Sequence, residues 1–219
     1  TLENQLSAFD NEKVELEKLL SAFQRRHTME LGETVLEILK LRKLKYKADQ
    51  AKFEEAENDE REYSTQLEED RAKEVFELTE EQKADLKKQY RKASTLCHPD
   101  KVNEEMRDAA QAMFIALKAA YDANDLKGVA DILADLEKGN YFHSRSETVS
   151  EAALLKSAIA LLARKVRTLE TEIVEIKRSE TFVTIVGIED WDAYFGDLKE
   201  KLLRELERLV LEVGDMDAA

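Results

Sequence analysis

The stretch Leu86-Lys-Lys-Gln-Tyr-Arg-Lys-Ala-Ser-Thr-Leu-Cys-His-Pro-Asp-Lys101 decides the fold of the segment around it. Its apolar side chains recur at intervals of four, three and four residues, at Leu86, Tyr90, Ala93 and Cys97. This spacing places them on one face of a helix, and Leu96 widens that face. Because Pro99 disfavours the helical conformation of the residue before it, we expect the helix to end at His98.

The other side of this helix is basic. It carries Lys83, Lys87, Lys88, Arg91 and Lys92. Between Glu80 and Lys101 there are six basic and four acidic residues, whereas the whole chain has a formal net charge of −14. A basic helix face in an acidic protein predicts a partner with an acidic surface. The net charge opposes non-specific binding to nucleic acid or anionic lipid, so we expect no nucleic-acid partner and no membrane in this segment.

A second helix is predicted to begin near Glu104. Apolar residues return there with helical spacing, at Ala109, Ala110, Met113, Phe114, Leu117, Ala120 and Tyr121. His98, Pro99 and Asp100 then form the turn between two antiparallel helices. We expect this turn to be exposed and rigid, so that it presents an imidazole beside a carboxylate at little cost in entropy.

Together the basic helix, the turn and the following helix resemble the J-domain of the DnaJ (Hsp40) co-chaperones. In that family a basic second helix bearing Tyr-Arg-Lys ends in His-Pro-Asp, and this chain has Tyr90-Arg91-Lys92 followed by His98-Pro99-Asp100-Lys101. The family's Phe, Ile, Ala-Tyr spacing in the third helix is matched by Phe114, Leu117, Ala120 and Tyr121. The patterns in 31–39 and 124–133 also resemble bacterial J-domain proteins with coiled-coil flanks.

The resemblance implies a protein that docks on a DnaK-type Hsp70 chaperone and stimulates its ATP hydrolysis. Such a protein is not an enzyme itself and needs no cofactor and no metal. By this resemblance Asp100 would pair with an arginine of Hsp70, His98 would hydrogen-bond at the same junction, and Pro99 would fix the turn. The other implied docking residues are Tyr90, Lys87, Lys88, Arg91, Lys92 and Lys101.

The chain departs from the family at the first helix of the J-domain. Where the family has Tyr-x-x-Leu-Gly, this chain has Arg71-Ala-Lys-Glu-Val-Phe-Glu-Leu78. We therefore predict that the end of a long helix over about 33–76 serves as the first helix. Its residues Val75, Phe76 or Leu78 would pack onto Leu86 and Phe114. At the other end, 126–136 is predicted to form a closing helix of its own.

Heptad patterns lie on both sides of this segment. The first runs through Leu2, Leu6, Phe9, Lys13, Leu16, Leu20, Phe23 and His27, and a helix break is predicted near Gly32. The second runs through Leu155, Ile159, Leu162, Val166, Leu169, Ile173 and Ile176. Its β-branched a positions and mostly leucine d positions are typical of a parallel two-stranded coiled coil, and thus of a homodimer.

An antiparallel hairpin with the last helix, about 191–213, is the favoured alternative for the second heptad pattern. The connection between the two helices contains Thr181-Phe-Val-Thr-Ile-Val-Gly187, a run rich in β-branched residues. Such residues favour extended backbone, so this run is predicted to be the only strand in the chain. The hairpin does not exclude dimerisation.

Composition agrees with a chain built of long helices. Among 219 residues there are one proline and six glycines, and 37% of the residues are charged. So few turn residues argue against a sandwich or barrel. We predict an all-α fold, a J-domain helical hairpin flanked by long coiled-coil or helical-hairpin arms. The predicted segments are 1–73, N-terminal coiled-coil helices; 74–142, the J-domain; and 143–219, a C-terminal helical hairpin, entered through a polar linker at 144–150.

The single cysteine indicates a reducing compartment. Cys97 alone can form neither an intrachain disulfide nor a thiolate zinc cluster. Neither a signal peptide nor an apolar run of about 18 residues is visible. We therefore expect a cytoplasmic protein, and we expect the chain, which opens at Thr1, to be a piece of a longer one.

Two other functions are compatible with the sequence. One is a coiled-coil scaffold with an inactive J-like module, and the other is an Hsp70-independent holding chaperone that binds client proteins along its helical arms. The intact tripeptide and the basic face favour the co-chaperone, with clients recruited by the arms.

Overall fold

The computed structural model describes residues 1–73, 75–139 and 152–217. These ranges contain helices and no β-strand, which confirms the all-α fold. A 3-10 turn at Glu104–Met106 precedes the fourth helix. In chain order the helices are α1 (Leu2–Lys45), α2 (Gln50–Ala72), α3 (Glu80–Cys97), α4 (Arg107–Asp122), α5 (Leu126–Gly139), α6 (Ala152–Arg178), α7 (Glu180–Gly187) and α8 (Trp191–Asp217).

The chain divides into two compact units. The first comprises Thr1–Lys18 and Glu74–Ser179, and the second comprises Leu19–Lys73 and Glu180–Ala219. These units do not follow the segments 1–73, 74–142 and 143–219, whose boundaries stay a prediction. The predicted linker at 144–150 lies outside the described residues. We call Thr1–Lys18 the N-terminal segment.

The predicted helix break at Gly32 is wrong, because α1 continues through it to Lys45. A Cβ atom at position 32 would lie 2.6 Å from Cδ1 of Leu67 in α2. Glycine therefore serves the close approach of a buried leucine at this position and does not end the helix. The chain breaks instead just before α2, where the Asp49 side chain accepts a hydrogen bond from the Lys52 backbone N–H at 3.3 Å.

Both ends of helix α3 are set by residues next to them in the sequence. Thr79 and Gln82 form a capping box, in which each side chain accepts a hydrogen bond from the other residue's backbone N–H. The predicted end before Pro99 is confirmed, since the helix stops at Cys97 and His98 is extended. The predicted apolar face is buried at Leu86, Tyr90, Ala93 and Cys97, whereas Leu96 is exposed and does not widen it.

The prediction that the long second helix supplies the first helix of the J-domain is wrong. Helix α2 ends at Ala72, and residues 75–79 are not helical. Leu78 packs against the core that contains Leu86, but Phe76 is 48% exposed. The N-terminal segment instead contributes Val14 to that core.

The apolar core of the first unit joins α3, α4 and α5 to the N-terminal segment. Its buried members are Val14, Leu86, Tyr90, Ala93, Cys97, Leu117, Tyr121, Val129 and Leu136. The predicted closing helix is present as α5. Asn124, between α4 and α5, has a left-handed φ of 58°, a conformation that asparagine tolerates. Its amide donates to the Phe76 carbonyl oxygen at 3.0 Å and so ties 75–79 to the end of α4.

The core of the second unit is aromatic. Phe23 of α1 lies edge-on to Trp191, with ring centroids 5.4 Å apart, and 5.2 Å from the ring of Phe195. The strand predicted at 181–187 is wrong, because α7 occupies it and buries Ile185 in this core. Packing of one apolar residue outweighs the weak extended preference of β-branched neighbours.

The two C-terminal helices fall in different units. Helix α6 belongs to the first unit and α8 to the second. Within the second heptad, Val166 and Ile173 are buried, whereas Leu155 and Ile159 are exposed. The hairpin and the homodimer both stay predictions. No helix in the described part of the chain is long and apolar enough to span a membrane.

Candidate docking site

The tripeptide His98-Pro99-Asp100 forms a tight turn after α3. The backbone N–H of Asp100 donates to Nδ1 of His98 at 3.2 Å, and the backbone N–H of Lys101 donates to the His98 carbonyl oxygen at 3.0 Å. Because Nδ1 accepts a hydrogen bond, the proton of the neutral ring lies on Nε2. Local hydrogen bonds and the proline together fix the imidazole beside the carboxylate, as the sequence predicted.

The predicted exposure of the turn is wrong for its histidine, whereas Pro99 and Asp100 are half-buried. His98 is only 5% exposed, and its ring lies edge-on to Phe114 with centroids 5.2 Å apart. Burial lowers the pKa of His98 to about 4, although the nearby Asp100 raises it somewhat. The imidazole is therefore neutral at physiological pH. Lys101 is buried as well, and burial lowers its pKa.

Asp100 is engaged within the chain. Its carboxylate forms an ion pair with Lys165 of α6. A second cation, the guanidinium of Arg107, has Nη2 3.9 Å from the same Oδ1 atom. The side chain of Asp100 keeps 19% of its surface exposed. Lys165 and Arg107 both belong to the first unit.

Asp10 of the N-terminal segment faces the imidazole. Its Oδ2 atom lies 3.9 Å from Nε2 of His98, too far for a hydrogen bond. Within the described residues this buried oxygen has no hydrogen-bond partner. Burial raises the pKa of Asp10 to about 6, although Lys118 and Lys13 lower it by less. At neutral pH an ionised carboxylate is thus held next to the turn without a hydrogen bond to that oxygen.

A single carboxylate of the N-terminal segment pairs with the centre of the basic face. Glu15 Oε2 lies 2.5 Å from Nζ of Lys87, and Oε1 lies 4.0 Å from Nη2 of Arg91. The hydroxyl of Tyr121 donates to Glu15 Oε1 at 2.7 Å. Glu15 therefore contacts two of the predicted docking cations on α3 and also Tyr121 on α4.

The remaining predicted docking residues differ in their surroundings. Lys92 forms an ion pair with Glu137 of α5. Lys88 is exposed and, within the part of the chain that the structure describes, makes no ion pair. Tyr90 is 1% exposed and stacks on Tyr121, with centroids 4.1 Å apart and an interplanar angle of 26°. Tyr90 therefore lies in the core and not among the lysines, and burial raises the pKa of its hydroxyl.

Sequence reasoning missed the contribution of the N-terminal segment. The Ser94 hydroxyl donates to Asn11 Oδ1 at 2.9 Å, and Lys118 donates to Glu17 at 2.8 Å. The amine of Lys18 donates to the Tyr121 carbonyl oxygen at 2.6 Å. The available signal was the cluster of acids at 10–17, which complements a basic helix. The many acids elsewhere in the chain made that signal unspecific.

Metal and thiol chemistry find no support at this site. In the described ranges no group of three or more His, Cys, Asp or Glu side chains is arranged to hold a metal ion. Cys97 is fully buried, and burial raises the pKa of its thiol to about 12. A thiol of that pKa is almost entirely protonated and therefore a poor nucleophile.

Residues 74–123 match the family model of the DnaJ domain. The chain contains a J-domain. The match covers α3, the His98-Pro99-Asp100 turn and α4, whereas the N-terminal segment and α6 lie outside it. Comparisons with curated proteins and with solved structures gave no match. The J-domain supports a co-chaperone role of the DnaJ type and, with it, interaction with Hsp70-type chaperones in general.

Proposed function

We propose that this chain is an Hsp70 co-chaperone that stimulates ATP hydrolysis by Hsp70 through the His98-Pro99-Asp100 turn and the basic face of α3. The chain itself makes and breaks no bonds in this reaction. Asp100 forms a charge-assisted contact with an arginine of Hsp70, His98 adds hydrogen bonds there, and the lysines of α3 steer the acidic surface of the partner.

One observation carries the proposal. The J-domain match contains α3 and, directly after the end of this helix, all three tripeptide residues, with the carboxylate and imidazole fixed in one turn by the hydrogen bond from the Asp100 N–H to His98 Nδ1. The basic face is intact at Lys87, Lys88, Arg91 and Lys92. A degenerate module has no need to keep these residue types together.

A second function has a specific observation in its favour. The burial of His98 and the pairing of Asp100 with Lys165 agree with an inactive J-like module in a helical scaffold. In such a scaffold the tripeptide would serve only to hold the first unit together. The two functions differ in whether Hsp70 responds to the protein at all.

Single-turnover ATP hydrolysis by a DnaK-type Hsp70 tests the proposal. Wild type should accelerate hydrolysis, and Asp100→Asn should abolish the acceleration, because a charge-assisted contact contributes about 1.5–3 kcal/mol, or roughly 10- to 150-fold in affinity. His98→Gln should fail similarly. The matched control is Asp197→Asn, which removes an exposed carboxylate from α8 of the second unit.

Circular dichroism and gel filtration establish that the variants are folded. If the folded Asp100→Asn protein stimulates as well as wild type, the proposal is wrong. If wild type gives no stimulation at any concentration and neither does any variant that exposes the turn, the scaffold interpretation stands.

Lys88→Ala provides a second test that disturbs no intramolecular ion pair among the described residues. Its effect should fall on association with Hsp70, with a rate about two- to fivefold lower at low salt, because exposed charges act mainly through steering. The difference from wild type should shrink as ionic strength rises. Surface plasmon resonance at several salt concentrations measures it.

A further inference from the structure

We propose that the N-terminal segment is an intramolecular competitor of Hsp70, which occupies the docking face of the J-domain and has to leave it before Hsp70 can bind. This inference rests on the proposed function. In this proposal, a segment outside the matched J-domain regulates how strongly the co-chaperone stimulates Hsp70.

The competitor uses the residues that a partner would use. Glu15 binds Lys87 and approaches Arg91, which are the middle of the basic face. An acidic helix laid on a basic helix reproduces the charge complementarity expected of an acidic Hsp70 surface. Since the N-terminal segment lies against Lys87 and Arg91, an Hsp70 surface that docks on the same side chains has to take the place of the segment.

The turn is closed in the same conformation. His98 is buried facing Asp10, and Asp100 is paired with Lys165 of α6. An arginine of Hsp70 would have to displace Lys165 to reach Asp100. Closure therefore involves two elements, the N-terminal segment over the imidazole and the basic face, and α6 at the carboxylate.

The N-terminal segment contacts the rest of the first unit through several ion pairs and hydrogen bonds, including Asn11 with Ser94 and Glu17 with Lys118. These polar contacts can be exchanged for those of a partner. The segment also buries two apolar side chains, Leu6 and Val14, of which Val14 enters the apolar core. The segment also carries two buried polar atoms without a hydrogen-bond partner in the described chain, Oγ of Ser7 and Oδ2 of Asp10. Buried unpaired polar groups oppose the closed state.

Competition of this kind lowers apparent affinity without changing the docking surface. If the open form makes up about one tenth of the molecules, the apparent Kd for Hsp70 rises about tenfold. Loosening the segment should recover this factor, and fixing it should remove stimulation altogether. Both directions can be measured on the full chain.

A reversible crosslink fixes the segment. The variant Asn11→Cys/Ser94→Cys, made with Cys97→Ala, places two thiols where two side chains are hydrogen-bonded at 2.9 Å. Oxidation should lower the stimulation of Hsp70 ATPase at least tenfold, and dithiothreitol should restore it. The reduced protein is the matched control, since its sequence is identical, and thiol titration reports closure of the disulfide.

A charge-removing variant loosens the segment. Glu15→Gln keeps an acceptor for the Tyr121 hydroxyl but removes the charge that binds Lys87 and Arg91. The concentration for half-maximal stimulation should fall about three- to tenfold, a gain that a merely damaged protein would not show. Glu200→Gln, which removes an exposed ion pair with Arg204 in α8, is the control and should match wild type.

The outcomes separate the two proposals. If neither wild type nor Glu15→Gln stimulates Hsp70 at any concentration, the proposed function fails. If wild type stimulates and the oxidised crosslinked protein stimulates equally, or Glu15→Gln equals wild type, the competitor is refuted while the proposed function stands. Failure of the two cysteines to form a disulfide would contradict the position of the segment and refute the competitor too.

Discussion

The two units of the chain are held together by different kinds of core. In the second unit, Phe23, Trp191 and Phe195 form a cluster of mutually packed rings around which ion pairs lie at the surface. In the first unit, the apolar core of α3, α4 and α5 is bordered by a layer of carboxylates, lysines and a buried histidine. That layer, together with Val14 of the core, forms the contact with the N-terminal segment.

The difference shows which parts of each unit can separate. When an aromatic cluster opens, its rings become exposed to water and the hydrophobic stabilisation is lost without a compensating interaction. A layer of ion pairs can exchange its partners for those of another protein with similar charge. Stability therefore resides in the second unit's core and in the α3–α4–α5 core. The polar layer at α3 is suited to regulation.

Phe195→Ala should have the largest effect on stability. The side chain is fully buried in the aromatic cluster, so its removal should cost about 3–5 kcal/mol. Stimulation of Hsp70 per folded molecule should stay within twofold of wild type, because the first unit holds the docking site. Thermal unfolding by calorimetry and the ATPase assay measure the two quantities. A large loss of stimulation in the folded variant would contradict the assignment of docking to the first unit alone.

Asp10→Asn should stabilise the closed first unit at neutral pH. A pKa raised from 3.8 to about 6 corresponds to at most about 3 kcal/mol lost when the ionised carboxylate is buried. The amide removes this loss, so the free energy of unfolding should rise at pH 7.5. Stimulation of Hsp70 should fall, opposite to the effect of Glu15→Gln. Urea unfolding at pH 7.5 and the ATPase assay provide the measurement.

The pH dependence checks the cause of that effect. The raised pKa of Asp10 stabilises the folded state below pH 3.8, and this contribution is lost as pH rises through about 6. The lowered pKa of His98 acts in the other direction, stabilising the folded state above pH 6.5 and losing effect as pH falls through about 4.

Wild type should therefore show little net pH dependence from these two groups between pH 4 and 6.5. Asp10→Asn should lose stability on acidification because the contribution of His98 remains alone. The other charged groups that act on this pair, Lys13, Glu17, Asp100, Lys101, Lys118 and Lys165, are unchanged in the variant. Parallel pH profiles of wild type and variant would contradict this account.

Val14→Ala should have a smaller effect on stability but a measurable effect on function. Removing two buried methyl groups should cost about 2 kcal/mol. Because Val14 is the N-terminal segment's contribution to the apolar core, the cost falls on the closed conformation and stimulation should rise. Hydrogen exchange of the N-terminal segment, followed by mass spectrometry, should show faster exchange there. Unchanged hydrogen exchange in the N-terminal segment would show that Val14 does not hold the segment in the closed conformation.

Glu200→Gln should have the smallest effect. The exposed ion pair between Glu200 and Arg204 should contribute less than about 0.5 kcal/mol, as such pairs do on helix surfaces. Neither the melting temperature nor the stimulation should change beyond error. A clear shift in either quantity would show that surface charge in the second unit contributes to stability or to docking, contrary to the assignment of both to the two cores and the first unit.

Features set by neighbouring residues were predictable from the sequence. The end of α3 before Pro99, the buried stripe from Leu86 to Cys97 and the closing helix α5 all follow from local spacing and from proline chemistry. The resemblance of α3 and α4 to a J-domain rests on the same local patterns, and the family match confirms it. Predictions failed where the outcome depended on a distant segment of the same chain packing against the residue. Examples are the break at Gly32 and the strand at 181–187.

The sequence by itself determined which chemical groups form the turn and the basic face. Only the tertiary structure decided that His98 is buried and which residues of the chain pair with the rest of the turn and with the basic face. The contacts that do this join residues far apart in the chain, separated by 83 positions for Asn11 and Ser94, 106 for Glu15 and Tyr121, and 65 for Asp100 and Lys165. Local spacing cannot encode which of many similar acids reaches a given lysine, because that choice depends on how whole helices pack.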